Sequence, residues 1–105
     1  FDPGNVPDGP ERPRWWRELA RRANHFHLKT VAFNAAGDEI GLPHAAIFDL
    51  LAEVGYRGPV TIEYAGAGDP LDGLRQSVRL WQRLTAAAAP PKASPLADRP
   101  GASGA

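Results

Sequence analysis

Apolar and polar positions change period along the chain, and each change predicts a new element. Residues 1–13 (FDPGNVPDGPERP) are rich in Pro and Gly and read as a loop. Arg14 to Ala23 (RWWRELARRA) consists of good helix formers, with Trp16, Leu19 and Ala23 spaced for one buried face. His25 to Val31 alternates residue by residue and predicts a strand. Asn34 to Asp38 is a loop, after which Pro43 is placed to open a helix at its first position, where a missing N–H costs nothing. Ile47, Leu50, Leu51 and Val54 form an amphipathic stripe along that helix, and Gly55 stops it. Pro59 leads into a second strand, VTIEY, followed by the flexible loop Ala65-Gly66-Ala67-Gly68. Asp69 as N-cap and Pro70 at the first position begin a last helix, marked by Leu71, Leu74, Val78 and Trp81. From Thr85 onward the chain is Ala, Pro, Gly and Ser with almost no large apolar side chain, so residues 85–105 are expected to be a disordered tail.

Strands alternating with helices imply parallel pairing and right-handed crossovers. Two strands make a poor sheet, and a third is expected just upstream of Phe1. Eight such units close a barrel of roughly 250 residues. The fold class expected is therefore α/β, the C-terminal part of a (β/α)8 TIM barrel, with residues 1–84 forming about its last three βα units. The absence of methionine also leads us to expect a segment of a longer protein.

Composition narrows the function more by exclusion. Twelve basic residues balance twelve acidic ones, so no net field favours nucleic acid or an anionic membrane. The absence of cysteine excludes disulfides, thiolate metal sites and a cysteine nucleophile. No apolar run reaches the length of a membrane span, and a cytoplasmic location is expected.

The chemistry lies in the two strands. In HFHLK, the side chains of His25, His27 and Lys29 share one face and Phe26 and Leu28 the other. In VTIEY, Thr61 and Glu63 share one face, opposite Val60, Ile62 and Tyr64. A surface sheet with its polar face in water has this pattern too. In a parallel barrel, however, helices cover the apolar face and the ionisable face points inward, where buried charges need partners or a metal. Imidazole and carboxylate suit a divalent cation such as Mn²⁺, Mg²⁺ or Zn²⁺. Asp2, His27 and Glu63 would come from the ends of three successive strands, where barrel active sites are built.

The segments FDPGN, HFHLKT, GYRGPVTIEYAG and DPLDGLRQSVRLWQRL, in that order, resemble the C-terminal part of the sugar phosphate isomerase/epimerase family. These are xylose-isomerase-like barrels related to the AP endonuclease class. The resemblance covers residues 1 to about 84. It implies one divalent metal held by Asp2, His27 and Glu63, with a further glutamate on an earlier strand outside this chain. It implies a sugar or polyol substrate, with no nucleic-acid or membrane partner, and self-association into a homo-oligomer is compatible with it. Glu63 would move the proton α to a carbonyl through an enediolate, with Lys29 as a second catalytic group. His25, Lys29 and Asn5 would contact substrate oxygens. Asn5 stands where several epimerases carry a histidine, and Thr30 where the family often has aspartate, so the resemblance fixes neither substrate nor reaction.

Three readings therefore stand side by side. The first is an isomerase or epimerase whose activity needs the intact barrel, the isolated segment being inactive; dehydration uses the same apparatus. The second is an AP-endonuclease-like nuclease, disfavoured by the neutral charge. The third is a non-catalytic truncated piece. Other residues are expected to be plain. His44 reads as a solvated surface residue, and Arg12, Arg14, Arg17, Arg21 and Arg22 as a solvated helix face. Of Trp15 and Trp16, one packs and the other lies near the surface. The Gly66–Gly68 loop could cradle a phosphate, but the Asp69 carboxylate would occupy the helix N-terminus such an anion needs.

Overall fold

The computed structural model describes residues 1–88. After a short 3-10 turn at Pro3–Asn5, the elements are α1 (Arg12–Arg22), β1 (Phe26–Thr30), α2 (His44–Glu53), β2 (Val60–Tyr64) and α3 (Pro70–Ala88). The strands pair in parallel, with Phe26 opposite Val60, His27 opposite Thr61 and Lys29 opposite Glu63. Backbone bonding extends the sheet by one residue on the other side. The Phe1 amino group donates to His25 O at 2.8 Å, and His27 N–H donates to Phe1 O at 2.9 Å. Those two bonds have the slanted spacing of a parallel ladder, and they set Asp2 down beside His27. Two parallel strands with three helices are compatible with a piece of a larger α/β domain.

The period-2 alternation sorts the two faces as expected. Phe26 and Leu28 are fully buried and pack with Trp16, Ala20, Ile47, Phe48 and Leu51 into one core. Phe26 meets the Phe48 ring edge-on at 5.6 Å. The buried stripe of α1 differs from the expected one. Trp16 and Ala20, one turn apart, face the core, whereas Leu19 is exposed and Ala23 is already the extended C-cap. The helix ends at Arg22, so a stripe ending at Ala23 has no last turn to stand on.

Pro43 stands just outside α2 rather than at its first position. Its ψ of 74° is not helical, yet its carbonyl accepts from Ile47 N–H at 3.1 Å. The other end follows the sequence closely. Gly55 adopts φ 74°, its N–H bonds to Ala52 O, and Tyr56 N–H bonds to Leu51 O, the paired bonds that close a helix through a left-handed residue. At α3, Asp69 Oδ2 accepts from Asp72 N–H at 2.9 Å and caps the helix.

The face α3 turns inward is the main departure from the pattern. Leu71, Leu74 and Val78 are exposed, and Gly73, Ser77 and Leu80 are buried instead. The reason is close approach: a Cβ on Gly73 would collide with the Tyr64 ring of β2. A helix seated that tightly must present small residues to the sheet in its first turns, and Leu71 and Leu74 are left on the outer side, while Leu80 packs inward further along. α3 also continues to Ala88, so Thr85–Ala88 of the segment expected to be disordered are helical. The rest of that segment lies outside the described residues.

Candidate active site

The uncovered face of the sheet gathers the ionisable groups. His27 and Lys29 from β1 and Thr61 and Glu63 from β2 share it, because the register places like-parity residues opposite one another. Asp2 joins them from the turn that follows Phe1. One ligand atom each from Asp2, His27 and Glu63 lies within 4.8 Å of the others. His27 Nδ1 is 3.9 Å from Glu63 Oε1. These two side chains remain 41% and 49% exposed, so solutes reach them.

The donor set suits a hard or borderline divalent cation. Three donors bound to one ion at about 2.1 Å lie on average at most about 3.6 Å apart. A cluster spanning up to 4.8 Å therefore closes on an ion by about an ångström. Two carboxylates would neutralise the ion's charge. The residues present thus fit a divalent metal, which Asp2, His27 and Glu63 could hold.

Asp2 is held firmly. Its side chain caps the 3-10 turn by accepting from Gly4 N–H at 3.0 Å. The turn itself is pinned to α1, since Trp16 Nε1–H donates to Pro3 O at 3.1 Å. Lys29 reaches to Asp2, with Nζ 3.1 Å from Oδ2, in a pair that is mostly covered. His25 lies just before β1, with Nε2 2.5 Å from Thr61 Oγ1 and its ring 5.1 Å from that of His27. Asn5 ends the turn with its side chain exposed. The structure therefore brings Asp2, His25, His27, Lys29 and Glu63 to one face and leaves Asn5 at its rim.

One residue was misread in the sequence and another passed over. His44 is not solvated: it is 5% exposed, and its Nε2 lies 2.7 Å from Glu39 Oε1. Glu39 is an acceptor, so Nε2 donates in this contact, and Nδ1 is buried without a hydrogen-bond partner among the described residues. The Glu39 side chain is 1% exposed. Its Oε2 accepts from Val31 and Ala32 N–H, and its Oε1 from Gly41 and Leu42 N–H. Burial pushes this carboxyl up, but the backbone donors and His44 outweigh it and hold the group below the usual carboxylate range. Glu39 thereby ties the loop after β1 to the start of α2. No local pattern announces it, because its donors converge only once the loop has folded.

The plainer readings of the tryptophans and of Arg14, Arg17, Arg21 and Arg22 agree with the contacts, whereas Arg12 is largely covered. Trp16 is buried and Trp15 half exposed. The arginines of α1 are spent on nearby carboxylates: Arg17 on Glu53, Arg21 and Arg22 on Glu18, Arg14 on Glu11, and Arg12 on Asp8 and across the Trp16 ring. No helix among the described residues is long and apolar enough to cross a membrane.

The fold and site together define an α/β unit with a carboxylate–imidazole cluster on the open polar face of its parallel strands; His27, the second residue of β1, lies in the first half of its strand rather than at the strand end the sequence reading expects. Two curated proteins are similar to it. The C-glycoside deglycosidase alpha subunit of Microbacterium trichothecenolyticum is 36% identical over 58 residues, which are 55% of this chain and 16% of that protein. The 3'-dehydrocarminate deglycosidase alpha subunit of a Microbacterium species is 27% identical over 81 residues, 72% of this chain and 23% of that protein. No protein-family model matches the chain. The chain spans less than a quarter of either relative's length, and both relatives are by name alpha subunits of deglycosidases.

Proposed function

We propose that this chain is the C-terminal part of a (β/α)8 barrel that performs metal-assisted proton transfer on a sugar. The observation that carries the reading is the convergence of Asp2, His27 and Glu63 on the open polar face of parallel strands. Barrel active sites are likewise assembled from ionisable side chains that neighbouring parallel strands and the turns beside them bring together. A bound divalent ion would supply polarisation of a substrate carbonyl or hydroxyl.

The chain's own groups supply the rest. The Glu63 carboxylate accepts the proton α to the carbonyl, and the electron pair of the broken C–H bond moves onto the carbonyl oxygen as an enediolate. Lys29 and His25 donate hydrogen bonds to that oxygen and to neighbouring hydroxyls. Returning the proton to the same carbon from the opposite side gives an epimer, and returning it to the adjacent carbon gives an isomer.

A second outcome is favoured by the relatives' names. "Dehydro" denotes a substrate oxidised to a carbonyl, and "deglycosidase" the loss of the sugar from its partner. If the carbonyl lies two carbons from the anomeric carbon, removal of the intervening proton makes the anomeric substituent a β-leaving group. The enolate then expels it by elimination, and that group takes up a proton. The same Glu63 step serves both outcomes.

The test is Mn²⁺ titration and turnover of the intact barrel with His27→Ala and Glu63→Gln. Both variants should bind Mn²⁺ more weakly. Glu63→Gln should also lose turnover at saturating metal, because an amide oxygen still faces the ion but accepts no proton. Near-normal turnover of Glu63→Gln would move the base elsewhere.

A further inference from the structure

The polar face holds two carboxylates and one ammonium, and the ammonium has made a choice between them. Lys29 stands directly opposite Glu63 in the sheet register. Its Nζ nevertheless lies on Asp2 Oδ2, while Glu63 is left to His27. The Asp2 side chain is only 14% exposed and that of Lys29 26%, so this pair is better shielded than the others on this face. Both Asp2 oxygens are thus engaged, Oδ1 by Gly4 N–H and Oδ2 by the ammonium.

We propose that Lys29 is the internal counterion of Asp2 in the ion-free site, and that a divalent cation taken up by Asp2, His27 and Glu63 displaces its ammonium toward substrate oxygens. The inference rests on the metal reading given above. Its physical basis is competition for one carboxylate. A dication on Asp2 would sit within a few ångströms of Nζ and repel it. The lysine stem is flexible and the ammonium carries three donors with no fixed direction, so the charge can leave Oδ2 without disturbing β1. Freed from Asp2, it is available to a carbonyl or enediolate oxygen. Ion binding would then prepare the lysine for the reaction, and the empty site would keep its charges paired.

The experiment is calorimetric titration of the intact protein that contains this chain with Mn²⁺, with circular dichroism checking that each variant is folded. Wild type, Lys29→Met, Lys29→Arg and His27→Ala are compared. Lys29→Met should bind Mn²⁺ about ten-fold more tightly, the effect of removing one unit charge close to a dication in a well-solvated site. Lys29→Arg should bind like wild type, and His27→Ala far more weakly. A second readout uses wild type alone: saturation with diamagnetic Zn²⁺ should shift the Lys29 side-chain NMR resonances. Unchanged or weaker binding by Lys29→Met, or Lys29 resonances that do not move while wild type binds the ion, overturns this inference and leaves the metal reading standing. Failure of wild type to bind either ion overturns both.

Discussion

Thr30 Oγ1 lies 2.7 Å from Ser77 Oγ, and both side chains are fully buried where α3 meets β1. The direction of the bond follows from its neighbour. Ser77 Oγ donates its hydrogen to Gly73 O at 2.7 Å, so Thr30 must be the donor to Ser77. Ser77→Ala therefore strands a buried hydroxyl and should cost about 1–3 kcal/mol. Thr30→Val leaves Ser77 bonded to Gly73 and should cost less. Urea unfolding of the two variants checks the order.

Gly73 and Gly55 are both needed, for different reasons. Gly73→Ala would drive a methyl into the Tyr64 ring, so α3 must lift from the sheet; the expected loss is about 2–4 kcal/mol, in the range of overpacked cores or above. Gly55→Ala meets open space but keeps φ at 74°, and should cost only about 1–2 kcal/mol. Thermal melts of both, with near-ultraviolet circular dichroism reporting tertiary packing, should separate a displaced helix from a strained turn.

Glu39 predicts acid sensitivity. Its carboxyl lies below the usual range in the folded protein, with an ordinary value of 4.5. The group binds its proton less readily folded than unfolded, so its contribution is complete above about pH 4.5 and fades as pH falls through the lower folded value. Glu39→Gln should remove most of that pH dependence. It should also cost about 2–4 kcal/mol at neutral pH, because an amide NH₂ would face backbone donors. Denaturant midpoints between pH 3 and 7 for the two proteins, in steps of about half a unit, test both statements.

Trp16 links the core to the candidate site. Its indole holds the carbonyl of Pro3, next to Asp2. Trp16→Phe keeps most of the packing and loses that bond, so stability should fall by about 1–2 kcal/mol. Hydrogen exchange of Gly4 N–H, which reports the Asp2 cap, should quicken by more than exchange in β1. Equal changes in both would mean that Trp16 acts only through the core.

The element order, the strand faces and the stop at Gly55 were legible in the sequence, because each depends on local geometry. The alternation in HFHLK and VTIEY separates polar from apolar faces whatever the strands pack against. A glycine after a helical stripe fits a left-handed stop with no tertiary help. His27 and Glu63 could be named for the same reason: period and residue type placed them on a common face. The inward faces of α1 and α3 were legible only in part: Trp16 and Trp81 pack inward as their spacing predicts. Leu19, Leu71, Leu74 and Val78 form good apolar patterns, yet the helices bury Ala20, Gly73 and Ser77. Close seating on a sheet selects small residues over greasy ones, and the sequence does not state how near two elements will come. Glu39 and His44 were hidden likewise, since a carboxylate bonded to four backbone N–H groups depends on the whole path of the loop between β1 and α2. Lys29 shows both sides of the division. Its face was fixed by alternation, but its choice of Asp2 over Glu63 was decided by where the turn after Phe1 sets down its carboxylate.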